Sequence, residues 1–427
     1  MHIAIIGTGI SGLMAAHVLR RYHDVELFEK EKWVGGHAHT VDADTSIGTI
    51  PVDTGFIVYN EKNYPLFTRL MHELGVETIP SDMSFGMFCP ADNFAYSSRG
   101  IQGLLASPSN LLKPKLYAMA RDIVRFNRLA ATALESHAAH GMTLGKFLEM
   151  GSFSQAFIRY YIEPMSSAIW SASQGVTLNF PAEVFFRFFQ NHGLLSIAPD
   201  VPWRTVKGGS RAYVQALTAP LKNKIHTKRP VRSVRRERDR VRLSFDEGAD
   251  VFYDHVVMAA HADQSLRMLA DPSDQERQLL DYYPYQSNRV VLHNDTGVLP
   301  PQQNAWASWN VQAPGATEAR TQLVMTYHMN RLQNLDNRAP LMVTLNPSAE
   351  WRSGLNQNNA GKTFYYETDY EHPRYLPDSF SVQPGLSALN GVNRTSFCGA
   401  YFGYGFHEDG LRSGLQAAEM LGATWKP

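Results

Sequence analysis

The order of apolar and polar residues divides the chain into strand-like and helix-like stretches. HIAII (2–6), DVELFE (24–29), DHVVMAAHADQSL (254–266) and TSFCGAYF (395–402) contain short apolar runs that break at glycine, small or acidic residues. Such runs predict strands buried on both faces of a parallel sheet. Helical spacing lies between and after them. In ISGLMAAHVLRRY (10–22) Leu13, Ala16 and Leu19 recur at helical intervals, and in GLRSGLQAAEML (410–421) Leu411, Leu415, Ala418 and Leu421 share one face. Two long interruptions differ from this alternation. Residues 81–204 read as helical: Leu116, Met119, Ile123, Phe126 and Ala130 line one face of YAMARDIVRFNRLAATAL and its neighbourhood, with Arg121, Arg125 and Arg128 on the other. Residues 266–389 are richer in β-type segments such as NRVVLHND and LMVTLNP.

Composition narrows the class. At 427 residues the chain predicts more than one domain, and 44% hydrophobic against 19% charged residues describes a globular protein. Forty basic residues balance forty acidic ones, which argues against a nucleic-acid partner. The basic stretch KIHTKRPVRSVRRERDRVRLSF interleaves acids and places Val231, Val234, Val241 and Leu243 as in a half-exposed strand pair. Only Cys89 and Cys398 are present, which suits a reducing cytoplasm. Ile3 to Leu19 is free of charge and resembles a signal-peptide core, but it lacks a basic n-region. The basic amphipathic helix around Arg121–Arg128 suits either an ordinary surface or peripheral contact with a membrane.

The chemistry begins at GTGISG. Gly7, Gly9 and Gly12 carry the G-x-G-x-x-G spacing between a strand and a helix, and a second strand ends on Glu29. Gly7 permits the turn, Gly9 lets a pyrophosphate reach the backbone, and Gly12 lets helix and strand pack closely. The helix N-terminus attracts the phosphate, and an acid at Glu29 binds an adenosine ribose while disfavouring NADP. This predicts an α/β, Rossmann-like dinucleotide domain from residues 1–80, 205–265 and 390–427. Residues 81–204 and 266–389 form an inserted α+β substrate domain. His37 and His39 make an H-x-H pair, but no third ligand stands at a recognisable spacing, so no metal is expected.

A second glycine pair, Gly35-Gly36 in EKWVGGHAHT, follows Glu29. With it the chain resembles the FAD-dependent amine-oxidase superfamily, which implies FAD as cofactor. The resemblance implies that Gly7, Gly9, Ile10, Ser11 and Gly12 meet the pyrophosphate, with Glu29 and Lys30 at the ribose. It also implies contacts from Gly35, Gly36 and His37, from Gly55 and Phe56 of DTGF, from Val231 at adenine and from Ala259. The superfamily's usual Gly-Gly-Arg is here Gly-Gly-His. At the other terminus it implies that Gly399 and Ala400 approach the ribitol and pyrophosphate, where an acid more often follows the glycine. Gly405, Phe406 and His407 would lie against the flavin, and a helix start there would stabilise negative charge on the ring. For His407, Glu408 and Asp409, helix capping is the competing expectation.

DTGFIVYNEKNYPLFTRLMHELGV, SDMSFG, AWASWN and GYGFHEDGLRSG further resemble a bacterial subgroup of amine-oxidase-like flavoproteins. Some of its members are linked to cyclopropane- or methyl-branched fatty acids. That resemblance implies an oxidoreductase taking hydride from a lipid acyl chain to flavin N5. His407 and Glu408 are then the candidates for proton handling, and Tyr401 and Tyr404 for framing the substrate. An amine oxidase with a Tyr401–Tyr404 cage, a redox-neutral double-bond isomerase and a non-catalytic flavin-containing partner remain the alternatives.

Overall fold

Five short strands run in parallel in the spatial order Ile225–His226, Asp24–Phe28, His2–Ile6, His255–Met258, Thr395–Phe397. The computed structural model describes residues 1–170, 175, 177–195, 201–313, 323–355 and 361–426. The sheet gathers strands from both ends of the chain, and its middle strands are enclosed on both faces, which is why they read as continuous apolar runs. The helix Ile10–Leu19 is buried along its whole length, because it packs on this sheet and against the final helix, His407–Met420. The two helices cross where Gly414 has no side chain: a Cβ there would stand 2.1 Å from the Ser11 carbonyl oxygen.

The final helix begins at His407, three residues before the start expected at Gly410. The carboxylate of Asp409 accepts the N–H groups of Tyr404 (2.9 Å) and Phe406 (3.1 Å) and so fixes the first turn upstream of Gly410.

A second sheet of seven strands runs Phe364–Pro373, Tyr285–His293, Met342–Leu345, Val324–His328, Trp309–Gln312, Phe85–Cys89, Phe94–Ser97. Its last two strands come from the first interruption, which therefore opens with a β-hairpin before it turns helical. FGMFC is buried at every position, and the tight Pro90–Asp92 turn, with Asn93 left-handed at φ 43°, returns the chain as FAYS. Helices follow. In Pro114–Glu135 the residues Leu116, Met119, Phe126 and Ala130 are buried and Arg121 and Arg128 face water, as the spacing implies. Phe126 meets Phe157, Phe185, Phe186 and Phe189 at ring separations of 5.4 to 6.3 Å, so the FFRFF segment is largely core.

Smaller sheets join these parts. Trp203–Val206 pairs with both Val58–Asn60 and Thr78–Pro80, closing the chain around the first interruption. Val231–Arg236, Val241–Phe245 and Val251–Tyr253 form an antiparallel sheet with Val231, Val234, Val241 and Leu243 turned inward. Both cysteines are buried. No helix among the described residues is long and apolar enough to cross a membrane.

Candidate functional site

The three glycines of the first turn do different work. Gly7 is left-handed (φ 104°), and a Cβ on it would stand 2.6 Å from the Ala259 carbonyl oxygen. A Cβ on Gly12 would stand 2.1 Å from the Gly7 carbonyl oxygen and 3.1 Å from Ala259 Cβ. Both are packing glycines, and Ala259 is what they pack on. Gly9 is different: a Cβ there meets no heavy atom within 4 Å. It heads the helix Ile10–Leu19 without a side-chain cap and with no acid in the first turn. An uncapped helix start behind an open glycine suits a phosphate. Ile10 and Ser11 form that first turn and are buried by the final helix, with Gly410 against Ile10 and Gly414 against Ser11.

Glu29 ends the neighbouring strand with its carboxylate turned back to this turn. Its Oε2 accepts the N–H (3.0 Å) and hydroxyl (2.5 Å) of Thr8, and Oε1 accepts the Glu31 N–H (3.0 Å). These bonds aim the carboxylate, with lone pairs left for a ribose hydroxyl. Lys30, by contrast, points to solvent beside Glu31. The chain before Val231 is tied to the same place, since the Arg229 N–H donates to Glu29 O and the Lys228 N–H to Glu31 O, both at 2.9 Å.

The second glycine pair folds over the first turn. The Gly35 N–H donates to Thr8 O (3.1 Å), and a Cβ on Gly36 would stand 3.1 Å from Gly9 Cα. His37 follows. Its carbonyl accepts the Phe56 N–H (2.8 Å), and Gly55 passes it so closely that a Cβ would come within 2.2 Å. The His37 ring lies between Tyr370 and His372, at 4.9 and 5.2 Å, with Nε2 enclosed and unpartnered. Burial, then the nearby imidazoles of His372, His261 and His407, push its pKa well down, so it is neutral. His39 points elsewhere, toward Trp33 and Tyr366, and shares hydrogen bonds with Thr54 and the Tyr370 hydroxyl. Both histidines touch Tyr370, and among the described residues no group of three His, Cys, Asp or Glu side chains is placed to hold a metal ion with them.

At the far terminus Gly399 is held by Ser413, whose hydroxyl oxygen accepts its N–H at 2.9 Å. Ala400 accepts the N–H groups of Gly403 and Gly405, both at 3.1 Å, which curls the segment into a tight turn. Gly405 is left-handed at φ 92° and lies under the Tyr375 ring. Phe406 stacks on Phe188 at 5.0 Å and lies 5.7 Å from His192, bringing the helix start onto the aromatic helix Ala182–Asn191. His407 stacks on Phe56 at 3.7 Å and 9°, and its Nε2 shares a 2.8 Å hydrogen bond with the Tyr213 hydroxyl. Burial lowers its pKa to about 3, so it is uncharged at neutral pH.

Two proposed roles do not fit their surroundings. Glu408, expected to handle protons, accepts the N–H groups of Leu66 (2.9 Å) and Phe67 (3.0 Å) and so caps the helix Pro65–Leu74. Tyr401, expected to frame a substrate, is 1% exposed. It packs on Tyr283 and Phe402, and Gln383 donates to its carbonyl. Tyr404 stays half-buried beside Phe380.

Sequence reasoning missed Asp53. Its carboxylate accepts from the Thr40 hydroxyl, the Ser210 N–H and hydroxyl, and Gln333 Nε2, binding Gly-Gly-Ser (208–210) and the residue after Met329–Leu332 to the hairpin of Thr40–Thr45 and Gly48–Asp53. Burial raises its pKa to about 6 against the pull of these bonds. Tyr213, Gln333 and His372 were equally silent, because each acts through a partner more than 100 residues away. Close approaches of Gly36 to Gly9, Gly410 to Ile10 and Gly414 to Ser11 bring the first turn, the Gly35-Gly36 loop and the start of the final helix together, with Glu29 tied to Thr8 of that turn.

A sequence model described as flavin containing amine oxidoreductase matches residues 10–421. A search of curated proteins finds no match. Solved structures share the whole fold at low identity. A CLA-producing fatty acid isomerase from P. acnes matches with TM-score 0.69 and 16% identity over 96% of each chain. Cyclohexylamine oxidase from Brevibacterium oxydans IH-35A gives 0.69 and 17% over 98% of each, and putrescine oxidase bound to putrescine gives 0.69 and 17% over 99% of each.

Proposed function

This chain belongs to the flavin-containing amine oxidoreductase family and is an FAD-dependent oxidoreductase; from that premise we propose that it dehydrogenates a lipid acyl chain, a methyl-branched or unsaturated fatty acyl group. The observation that carries the acyl reading is the wall at the helix start. Half-buried Phe406 and His192 lie there as uncharged rings stacked on the buried Phe188, His192 being lowered by burial to about 4. An apolar chain is at home against such a wall, and an ammonium group is poorly solvated by it unless the rings form a cage. Tyr401 and Tyr404 do not supply that cage, since their rings face Tyr283 and Phe380 respectively.

When bound, FAD supplies a two-electron acceptor for the hydride of a weakened substrate C–H bond. The protein does the holding. The helix start at Gly9, Ile10 and Ser11 would take the pyrophosphate, Glu29 the adenosine ribose, and the Gly35-Gly36 loop the opposite side of the phosphates. His407, clamped by Phe56 and Tyr213, orients its neighbours and does not carry protons at neutral pH.

One observation favours a second reading, a redox-neutral double-bond isomerase. Desaturation must also remove a proton from the neighbouring carbon, but Glu408 is spent on two amide groups and His407 titrates near 3. Returning the hydride to another carbon needs no such acceptor. A fatty acid isomerase is among the proteins that share this fold.

Anaerobic incubation of the yellow holoprotein with a methyl-branched unsaturated fatty acid separates the readings. Desaturation bleaches the flavin and gives a product about two mass units lighter. Isomerisation leaves the mass unchanged and moves the double bond. Bleaching by amines alone overturns the acyl reading.

A further inference from the structure

Exposed large apolar side chains gather at one place on the substrate domain. Ile101 and Leu112 are 77% and 86% exposed, and Leu111, Tyr117 and Val124 are exposed as well. All five belong to the consecutive, mutually packed elements Gly100–Leu105, Pro108–Leu112 and Pro114–Glu135. The Tyr117 hydroxyl donates to Leu111 O at 2.8 Å, joining turn and helix. Asn110 Nδ2 donates to Ala95 O at 2.7 Å, fixing the turn to the edge strand of the seven-stranded sheet. Along the helix the outward positions Tyr117, Arg121, Val124 and Arg128 alternate apolar and basic on one stripe.

Charge sharpens the picture. Residues 99–128 carry Arg99, Lys113, Lys115, Arg121, Arg125 and Arg128 against a single carboxylate, Asp122. Asp122 is itself buried; it accepts the Ser154 N–H at 2.8 Å and pairs with Arg121 (3.2 Å) and Arg125 (3.9 Å), so one of the six positive charges is offset and the segment keeps a net basic face. An ordinary surface helix accounts for the arginines but not for isoleucine and leucine side chains standing in water beside them.

We propose that this face docks the enzyme on an anionic lipid bilayer. Its apolar side chains enter the headgroup layer and its basic side chains meet lipid phosphates. Charge selects this occupant over a second copy of the chain, because two such basic faces would repel, whereas an anionic leaflet complements them. The proposal deepens the acyl-chain reading, since it places the enzyme where acyl chains are held. Its test reads binding without turnover, so either can fail alone.

The experiment is sedimentation of the flavin-loaded protein with vesicles of phosphatidylcholine and phosphatidylglycerol, two to one, against phosphatidylcholine alone. Partition onto the anionic vesicles at low salt should exceed that onto neutral ones by about tenfold or more and fall as salt rises. Ile101→Ser with Leu112→Ser should lower it about tenfold. Arg121→Gln with Arg128→Gln should lower it about fivefold per charge and flatten the salt dependence. Retained yellow colour and unchanged Tm show that the variants are folded. Wild-type protein that stays in the supernatant with both vesicles, or variants that pellet like wild type, would overturn the proposal. So would a concentration-dependent dimer that Ile101→Ser with Leu112→Ser abolishes, without vesicle binding, which would give the face to a second copy.

Discussion

The helices Ile10–Leu19 and His407–Met420 follow strands of the same parallel sheet and cross at Ser11 and Gly414, yet their first turns are opposites. The first turn of Ile10–Leu19 has no side-chain cap, no acid and a glycine facing open space. That of His407–Met420 carries Glu408 and Asp409, and Asp409 takes the N–H groups of Tyr404 and Phe406. One helix start is left for an anion, and the other is already occupied by one of its own. The glycine-rich sequence before His407 suggested a positive helix end aimed at the flavin. With two carboxylates in that turn, the dipole's contribution there is largely offset, and uncharged Phe406 and His407 are what a flat ring would meet.

The strongest way to break this contrast is to put a charge on the open turn. Gly9→Asp meets no steric obstacle, so it should fold with the Tm of the flavin-free wild type but purify colourless, its carboxylate standing where the phosphate belongs. A variant that stays yellow would sink the assignment of this turn. Packing glycines behave differently. Gly12→Ala and Gly414→Ala each bring a Cβ within 2.1 Å of a backbone oxygen, and overpacking of this kind costs about 1–3 kcal/mol. Denaturant melts should show both losses, and any flavin loss should track stability and not precede it.

The His407 stack gives a pH signature. Its folded pKa of about 3 lies below the usual histidine value of 6.5, so between those limits the unfolded chain binds a proton that the folded chain refuses. Stability therefore falls on acidification, by at most about 1.4 kcal/mol per pH unit for one group. Asp53, raised from 3.8 to about 6, acts in the opposite sense over its own window, since its folded form keeps the proton. In His407→Gln the acid slope should be shallower than in wild type, so the variant's deficit shrinks as pH drops from about 6.5. Parallel stability curves would contradict the buried, neutral imidazole.

How much of this was legible depended on sequence distance. Gly7, Gly9, Gly12 and Glu29 were readable because strand, turn, helix and acid follow one another within one local unit. The parallel strands were readable because enclosure on both faces removes alternation. The hairpin 85–97 was hidden, since its first strand joins the sheet through Trp309–Gln312, more than 200 residues on, and FGMFC alone carries no period. Asp53 looked like a residue of a motif, and only the fold brings Ser210 and Gln333 to it. The helix His407–Met420 was visible, but its start was not, because apolar spacing begins at Leu411 while the cap that sets the first turn is polar.

Glu408 is the smallest and most discriminating test of the second helix start. Its place beside His407 suggests catalysis, whereas its two oxygens each accept an amide N–H of the helix Pro65–Leu74, more than 300 residues away in sequence. Tyr64, the residue preceding that helix, offers no side-chain cap of its own. Burial raises the Glu408 pKa, so the ionised form that caps best also bears a desolvation cost. In Glu408→Gln one acceptor is lost and that cost disappears, so the net destabilisation should be about 1 kcal/mol or less. Turnover and its pH profile should be unchanged once the protein is folded. A proton-transferring Glu408 demands the reverse, intact stability with kcat down by about a hundredfold or more and one limb of the pH profile gone. Measuring Tm and the pH profile on the same variant decides whether this turn is architecture or chemistry.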